Sequence, residues 1–371
     1  MTTATAALSA QGVAIWLDDL SRERLATGDL AELVAQRDVV GVTTNPAIFR
    51  SAISGSGAGA DRYAEDIARS AAAGHDAERI VRALTTDDVR AACDLLRPVW
   101  EATDGQDGRV SIEVDPRLAH DTEATTRQAR ELWSEVDREN LLIKIPGTQA
   151  GLPAIRATIA AGISVNVTLL FAVDRYRAVI DAYHAGLEDR LAAGEPIGRI
   201  HSVASFFVSR VDTAVDPLLA EHHDPAAVDL VGTAAIANAR LAYAAFLETT
   251  DGDRWQALED AGGNPQRPLW ASTGVKNPAY PPTLYVHELV APGTVNTMPA
   301  ATLQAVVDGQ AVSADTITPN LDHARGVLAR LTELGIDLDQ VTTDLEAAGV
   351  TAFEQAWTAL LQAVEQRRHA G

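Results

Sequence analysis

Short apolar or alternating runs recur along most of the 371 residues, and this spacing constrains the fold more than any other feature of the sequence. Each run has the length and composition of a β-strand and ends at polar residues, glycine or proline. Helical patterns lie between most of the runs, and such alternation is typical of parallel βα units. We predict eight strands, the last of them short, at residues 13–18, 39–44, 109–115, 141–145, 163–168, 200–206, 269–273 and 294–297.

Eight βα units without a glycine-rich dinucleotide fingerprint favour a closed barrel over a doubly wound sheet. The predicted fold class is therefore α/β, a single (β/α)8 TIM barrel domain with extra helices over residues 1–371. Two stretches, about 47–108 and about 207–268, are longer than a βα unit needs, and we interpret them as helical insertions over the barrel ends. Apolar residues at helical spacing predict C-terminal helices at about 320–368.

Charge and cysteine content exclude several classes of protein. The 51 acidic and 30 basic residues give a net charge of −21, which opposes non-specific binding to nucleic acid or to anionic membranes. The single cysteine, Cys93, permits neither an internal disulfide nor a cysteine-based zinc site, and no HExxH motif indicates a metal. Neither a signal peptide nor a transmembrane run is evident, so the sequence predicts a soluble protein of the cytoplasm.

Only two of the thirty basic residues are lysines, Lys144 and Lys276, and Lys144 lies in the fourth predicted strand. Strand alternation separates Lys144 from the apolar face formed by Ile143 and Ile145, so its side chain can point into the barrel. Three interpretations remain open from the residues alone. The lysine is an exposed side chain that reaches solvent, a member of a buried structural ion pair, or an amine desolvated enough to act as a Schiff-base nucleophile.

The same alternation predicts polar side chains at the carboxyl ends of several strands, where barrel enzymes collect their catalytic groups. The inward-facing candidates near this rim are Asp18, Asn45, Glu113, Lys144, Asn166, Thr168 and Ser272. The two carboxylates are explained equally well as structural groups or as proton carriers beside a single amine. The amides and the threonine are either ordinary hydrogen-bonding groups of the barrel interior or contacts for a hydroxylated ligand, and their rim position favours the ligand.

Several segments, in this order, closely resemble the transaldolase family, whose members form Schiff bases as class I aldolases do. The segments are 16–22 (WLDDLSR), 43–49 (TTNPAIF), 110–115 (VSIEVD) followed by 121–124 (DTEA), 142–146 (LIKIP), 166–171 (NVTLLF) and 205–210 (SFFVSR). A single TTNP motif is only moderately specific, whereas these motifs in register with a lysine on the fourth strand are highly specific. The length and the KIPG run look most like the longer bacterial subgroup.

The resemblance implies catalytic roles for four rim residues. Lys144 would form the Schiff base, and Asp18 would be the acid and base for carbon–carbon cleavage. Glu113 and Thr168 would manage the water that is eliminated when the imine forms.

The resemblance also implies substrate contacts. The positions that would bind substrate hydroxyls are Asn45, Asn166 and Ser205, and Arg210 would bind the distal phosphate. Many family members carry Ser-Phe-Arg on the seventh strand, whereas this chain reads STGVK at 272–276. Ser272 fits the pattern, and Lys276, two residues late, is the candidate for the second cationic phosphate contact.

The activity implied by this resemblance is transaldolase, a transferase of the non-oxidative pentose phosphate pathway. It would move a dihydroxyacetone unit from sedoheptulose 7-phosphate or fructose 6-phosphate to glyceraldehyde 3-phosphate or erythrose 4-phosphate, with no cofactor or metal. The implied partners are small sugar phosphates, and the sequence leaves open whether the chain acts as a monomer or a homodimer. The alternatives are a fructose 6-phosphate aldolase-type lyase and a non-catalytic sugar-phosphate-binding barrel.

Overall fold

The computed structural model describes residues 3–54 and 58–370, and a closed barrel of eight parallel strands forms its centre. Each strand pairs with its neighbours in chain order, and the last strand closes the barrel against the first. The predicted (β/α)8 barrel is therefore confirmed, including its short eighth strand. The strands are β1 (Val13–Leu17), β2 (Val39–Val42), β3 (Arg109–Glu113), β4 (Leu141–Pro146), β5 (Val165–Leu170), β6 (Ser202–Phe207), β7 (Arg267–Ala271) and β8 (Thr294–Met298).

Helices surround the barrel and also cover its ends. Three short 3-10 turns lie at Pro116–Leu118, Pro225–Leu230 and Thr318–Asn320. The α-helices of the described residues are α1 (Ala4–Ala10), α2 (Arg22–Thr27), α3 (Asp29–Gln36), α4 (Pro46–Ser54), α5 (Ala58–Asp61), α6 (Ala64–Ala72), α7 (Ala77–Ala102), α8 (Thr122–Val136), α9 (Gly151–Ala160), α10 (Val173–Ala192), α11 (Ser209–Ala220), α12 (Ala234–Thr250), α13 (Asp253–Asp260), α14 (Leu284–His287), α15 (Ala300–Asp308), α16 (Leu321–Glu333) and α17 (Leu338–Ala370).

The extra helices lie in the long connections. Helices α4 to α7 lie between β2 and β3, and α11 to α13 lie between β6 and β7. Helices α16 and α17 follow the last strand at the C-terminal end of the described chain. The division of the chain into one domain, with these stretches as insertions, stays a prediction.

The register of three neighbouring strands places ionisable and amide side chains next to one another. Glu113 of β3 pairs with Lys144 of β4, and Lys144 pairs in turn with Asn166 of β5. Thr168 lies two residues further along β5, opposite Pro146. Side chains at equivalent positions of paired strands point the same way, so this register builds a polar row near the carboxyl ends of the strands.

Large side chains fill the barrel interior beneath this row. Trp16 of β1 and Trp270 of β7 are both fully buried. Trp16 pairs with Gly41 of β2, where a side-chain Cβ would lie only 2.5 Å from the indole ring. A glycine at this position of β2 is therefore required by the close approach of the indole.

Helix α17 covers part of the barrel mouth. Gly349 of α17 lies so close to the barrel that a Cβ there would be 3.0 Å from the Leu169 side chain. One turn further on, the Phe353 ring centre lies 5.9 Å from the Nζ atom of Lys144. The C-terminal helix therefore supplies a wall of the cavity that contains the lysine. Within the described residues, none of the helices is long and apolar enough to cross a membrane.

Candidate active site

The amine of Lys144 lies in a buried polar site at the carboxyl end of β4. Its Nζ atom donates hydrogen bonds to Glu113 Oε1 at 2.8 Å and to the backbone oxygen of Thr44 at 2.9 Å. Lys144 is only 4% exposed. The interpretation of Lys144 as a solvent-reaching side chain is therefore wrong. The amine is held by a carboxylate and a carbonyl in a barrel that excludes most water.

Glu113 is the direct ionic partner of this amine. Its second oxygen, Oε2, lies 3.3 Å from the Thr44 hydroxyl, which also lies 2.8 Å from the backbone oxygen of Ser111. Burial raises the pKa of Glu113 above its usual range, and the charge of Lys144 only partly opposes this effect. A raised pKa makes proton transfer from the ammonium to the carboxylate less unfavourable. Glu113 is thus positioned to exchange a proton with the amine.

A second carboxyl, Asp18, follows β1 at the same rim. Its Oδ1 atom accepts a hydrogen bond of 2.7 Å from the hydroxyl of Thr43. The Thr43 oxygen lies 2.6 Å from that of Thr297, which donates to Thr43 when Asp18 is ionised and Thr43 donates to it. Burial raises the pKa of Asp18, while the positive charge of Lys144 opposes the shift. The two carboxyl groups therefore have separate hydrogen-bond partners and can take separate roles.

A chain of hydrogen bonds crosses the barrel interior beside Lys144. Ser205 donates to Asn166 Oδ1 at 2.7 Å, and Asn166 Nδ2 donates to the Ser111 hydroxyl at 3.0 Å. All three side chains are buried. Thr168 is also buried, but its hydroxyl has no hydrogen-bond partner among the described residues. This unsatisfied hydroxyl is suited to hold a water molecule.

Asn45 joins the end of β2 to helix α4. Its Oδ1 atom accepts a hydrogen bond of 3.0 Å from the backbone N–H of Ile48, and Pro46 begins the helix. Asn45 is thus the N-cap residue, which fixes its side chain at the rim. Its Nδ2 group has no partner in the described part of the chain and remains available to a ligand.

Arg210 brings a positive charge to the rim from the start of α11. Its guanidinium stands over the Phe207 ring, with the Cζ atom 5.1 Å from the ring centre. No hydrogen bond or ion pair joins Arg210 to any described side chain. Burial lowers the pKa of Arg210, because no nearby negative charge offsets the loss of solvation of the guanidinium. An anionic ligand would supply that counter-ion.

The loop after β7 carries the other two predicted contacts. Ser272 has a left-handed backbone with φ of 55°, rare for serine, and its hydroxyl lies 2.9 Å from that of Ser209. Lys276 is exposed, yet it lines the same cavity as Lys144, and its charge opposes the rise in the pKa of Asp18 that burial causes. Both residues therefore lie at the rim.

One cavity of about 260 Å³ at the barrel mouth collects most of the predicted residues. The predicted residues that line it are Asp18, Asn45, Lys144, Ser205, Arg210, Ser272 and Lys276. Three other predicted residues lie beneath or beside it: Glu113, Asn166 and Thr168. The arrangement brings a buried amine, two carboxyl groups, two side-chain amides and an arginine together in one place.

Sequence reasoning missed three residues of this site. Thr44 contacts both members of the Lys144–Glu113 pair, and Thr43 contacts Asp18. Phe353 closes the cavity from α17. The two threonines belong to the TTNP motif, which could have identified them. Nothing in the sequence connects Phe353 to a strand more than two hundred residues away.

Comparison with known proteins identifies relatives across the full length of the fold. The family model described as Transaldolase/Fructose-6-phosphate aldolase matches residues 15–364. A transaldolase of Parafrankia sp. is 58% identical, with 97% of this chain and 96% of the relative covered. Transaldolase 1 of Streptomyces avermitilis is 59% identical over 96% of this chain and 93% of the relative. A transaldolase of Mycobacterium tuberculosis is 57% identical over 98% of this chain and 96% of the relative.

The resemblance predicted from the strand motifs is confirmed by these matches. The match spans the barrel and reaches into helix α17, which lines the candidate site. The chain therefore belongs to the transaldolase/fructose-6-phosphate aldolase family.

Proposed function

We propose that this chain is a transaldolase, a transferase that carries a dihydroxyacetone unit on the amine of Lys144. The observation that carries the proposal is the buried hydrogen bond of 2.8 Å between Lys144 Nζ and Glu113 Oε1. Relatives that are 57–59% identical and bear the name transaldolase support it. The donor would be sedoheptulose 7-phosphate or fructose 6-phosphate, and the acceptor glyceraldehyde 3-phosphate or erythrose 4-phosphate, as in the non-oxidative pentose phosphate pathway.

Formation of the Schiff base begins with a proton shift from Lys144 to Glu113. The neutral amine attacks the C2 carbonyl of the ketose and gives a carbinolamine. Protonated Glu113 then returns the proton to the C2 hydroxyl, which leaves as water, and a water molecule held by Thr168 relays the proton. The Thr44 hydroxyl can accept from neutral Glu113 because its own proton can go to the Ser111 carbonyl, 2.8 Å away. The products are an iminium ion and one water.

Carbon–carbon cleavage needs a second base, and Asp18 is suited to this step. Its carboxylate takes the proton of the C4 hydroxyl, the C3–C4 bond breaks, and the electron pair moves into the iminium group. An aldose phosphate leaves, and a dihydroxyacetone enamine stays on Lys144. The acceptor aldehyde then adds to the enamine by the reverse steps. Since the iminium group is the electron sink, the residues of the chain suffice for this chemistry and we assign no cofactor or metal.

Polar groups at the mouth would hold the substrate ends. Asn45 and Asn166 would bind the hydroxyls of the three-carbon unit, with Ser205 fixing the Asn166 amide through its hydrogen bond of 2.7 Å. Arg210, which has no counter-ion among the described residues, would bind the distal phosphate. Ser272 and Lys276 would complete the phosphate end of the cavity. These positive groups create local attraction on a chain whose net charge is −21.

The family also contains fructose 6-phosphate aldolases, which would release the three-carbon unit as free dihydroxyacetone. The two activities separate in an assay with fructose 6-phosphate as the donor. A transaldolase forms sedoheptulose 7-phosphate when erythrose 4-phosphate is present and releases little dihydroxyacetone without it. Steady release of dihydroxyacetone in the absence of an acceptor would assign the chain to the aldolases. If neither sedoheptulose 7-phosphate nor dihydroxyacetone formed, the remaining candidate would be a non-catalytic sugar-phosphate-binding barrel.

The proposed setting is the cytoplasm, with small sugar phosphates as the partners. The net charge of −21 opposes nucleic acid and anionic membrane surfaces as partners. The single buried cysteine is compatible with a reducing compartment. Whether the chain acts as a monomer or a homodimer stays open.

A further inference from the structure

A cluster of basic residues lies at the amino ends of the strands, opposite the candidate active site. Arg109 begins β3, Arg267 begins β7, and His201 directly precedes β6. The three residues are 1%, 7% and 8% exposed. Such burial of basic groups is costly unless each group has a partner, so their contacts indicate what the cluster can bind.

Two buried nitrogen donors, one in this cluster and one on the neighbouring Trp100, are unsatisfied. Arg109 donates through Nε to the Gly105 carbonyl at 2.7 Å and through Nη1 to Ser164 at 3.4 Å, but Nη2 has no partner among the described residues. The indole Nε1 of Trp100 is likewise buried and without a partner there. Buried donors in native proteins are almost always satisfied. Two together indicate a missing acceptor.

These donors and the His201 ring surround the space over Gly105. A Cβ placed on Gly105 would lie 3.3 Å from Trp100 Nε1 and 3.5 Å from both Arg109 Nη2 and His201 Nε2, so the three nitrogens lie close to one another. Gly105 has φ of 84°, and its missing side chain leaves the space between them open. This space is part of a cavity of about 250 Å³, which is larger than one water needs and is also lined by Arg97 and Arg199.

The charges around the cavity favour an anion over water. Arg267 pairs with Asp107 at 2.8 Å, Arg97 with Glu101 at 2.9 Å and Arg199 with Glu139 at 3.1 Å. Arg109, by contrast, contacts no carboxylate of the described residues and is the cation that lacks a counter-ion. Burial and Arg267 lower the pKa of Arg109 to about 9. Burial, Arg109 and Arg267 lower the pKa of His201 to about 2, so the imidazole is neutral and can donate through Nε2. Asp104 is the remaining acidic lining residue, and it is exposed.

We propose that this cavity binds one small oxyanion of the phosphate class. Arg109 Nη2, Trp100 Nε1 and His201 Nε2 donate to its oxygens, and Arg97 and Arg199 flank its entrance. The site is separate from the substrate phosphate contact at Arg210, because the two lie at opposite ends of the barrel strands. It does not depend on the proposed transaldolase activity.

The test is calorimetric titration of inorganic phosphate into the full chain that carries Arg210→Ala and Lys276→Ala, which removes the two cations assigned to the substrate phosphate at the other end. One phosphate per chain should still bind. Adding Trp100→Phe removes a single donor and replaces the indole by a smaller aromatic ring, and it should weaken binding about tenfold. The matched Trp133→Phe change on α8 should leave binding unaltered. Competition by glycerol phosphate would extend the site to phosphate esters, and its absence would restrict the site to free inorganic phosphate.

Absence of phosphate binding in the chain without Arg210 and Lys276 would overturn the proposal. Equal affinities of the Trp100→Phe and Trp133→Phe chains would do the same, provided both melt cooperatively like the parent. A second measurement needs no variant. Crystals of the unaltered chain soaked in selenate should show an anomalous peak between the three nitrogens, and a lone water molecule at that point would contradict the oxyanion site.

Discussion

The Nζ atom of Lys144 lies 2.8 Å from the Oε1 atom of Glu113, and the two side chains are only 5% and 7% exposed. A buried ion pair by itself is weak proof of either stability or function. Here the amine also faces a cavity that holds a second carboxyl and an unpaired arginine. We therefore expect the pair to control which group holds the proton when a carbonyl enters.

Glu113→Gln should slow formation of the imine while leaving the barrel folded. The amide keeps the size of Glu113 but cannot take a proton from Lys144 or return it to the carbinolamine. We expect the turnover number kcat to fall about 10²- to 10⁴-fold, the usual contribution of a general acid. Rapid-quench measurement of imine formation checks this, with the exposed Glu259→Gln as the control. Imine formation at the unaltered rate would remove Glu113 from the mechanism.

Asp18→Asn should separate imine formation from carbon–carbon cleavage. The variant retains Lys144 and Glu113, so it should still form the imine with fructose 6-phosphate, but release of the aldose phosphate should slow about 10²- to 10⁴-fold. The neighbouring Asp19→Asn, which alters a carboxylate paired with Arg24, should cleave at nearly the normal rate. Full turnover by the Asp18 variant would mean that another group is the base.

The raised pKa of Asp18 also predicts a stability effect with a definite sign. The folded state holds this proton to higher pH than the unfolded chain does, so the contribution of Asp18 to stability is greatest below the unfolded pKa and is lost as pH rises through the folded pKa. Asp18→Asn should thus be stabilising by roughly 1–2 kcal/mol at pH 8 and by less at pH 4. Urea unfolding at the two pH values tests this, with exposed Asp229→Asn as the control. A larger gain at pH 4 would contradict the shift.

Arg210→Ala should weaken the binding of phosphorylated substrates. Loss of a charged hydrogen-bond donor predicts a rise in the KM of fructose 6-phosphate of about 10- to 100-fold, with a smaller change in kcat. Unphosphorylated fructose should be affected little, and the exposed Arg130→Ala provides the control. An equal rise in KM for fructose 6-phosphate and for unphosphorylated fructose would show that Arg210 stabilises the fold and does not bind the phosphate.

Lys276→Ala tests the second cationic contact of the proposed phosphate site. Lys276 is exposed and has no fixed partner among the described residues, so we expect its loss to raise KM only a few-fold, more than it lowers kcat. Raising the salt concentration should reduce the difference from the unaltered chain, because the interaction is screened. An unchanged KM would move the second phosphate contact to another residue.

The sequence predicted the strands and most rim residues because alternation has a period of two wherever a strand is regular. The observed strands begin and end within two residues of the predicted positions. Lys144, Glu113 and Asn166 lie inside or at the ends of such strands, so the alternation of side chains predicted that they point into the barrel. Thr44 was missed because β2 ends at Val42, and alternation no longer applies beyond it.

Other features depend on tertiary packing that no local pattern contains. Leu169 adopts a left-handed backbone with φ of 61°, where the pairing of β5 with β6 shifts register. Phe353 reaches Lys144 only because α17 crosses the barrel mouth. Two further features could not be predicted from the sequence: the lack of a partner for Arg210 among the described residues, and the open space over Gly105. Both depend on which side chains come close together in the folded chain.

Borohydride trapping tests the central claim, that Lys144 forms the Schiff base, most directly. Reduction in the presence of fructose 6-phosphate should inactivate the chain and add one dihydroxyacetone-derived group, which peptide mass spectrometry should place on Lys144. Lys144→Arg keeps a positive charge beside Glu113 but cannot become a neutral nucleophile, so it should give no adduct. No adduct on the unaltered chain, or an adduct on Lys276, would contradict the account.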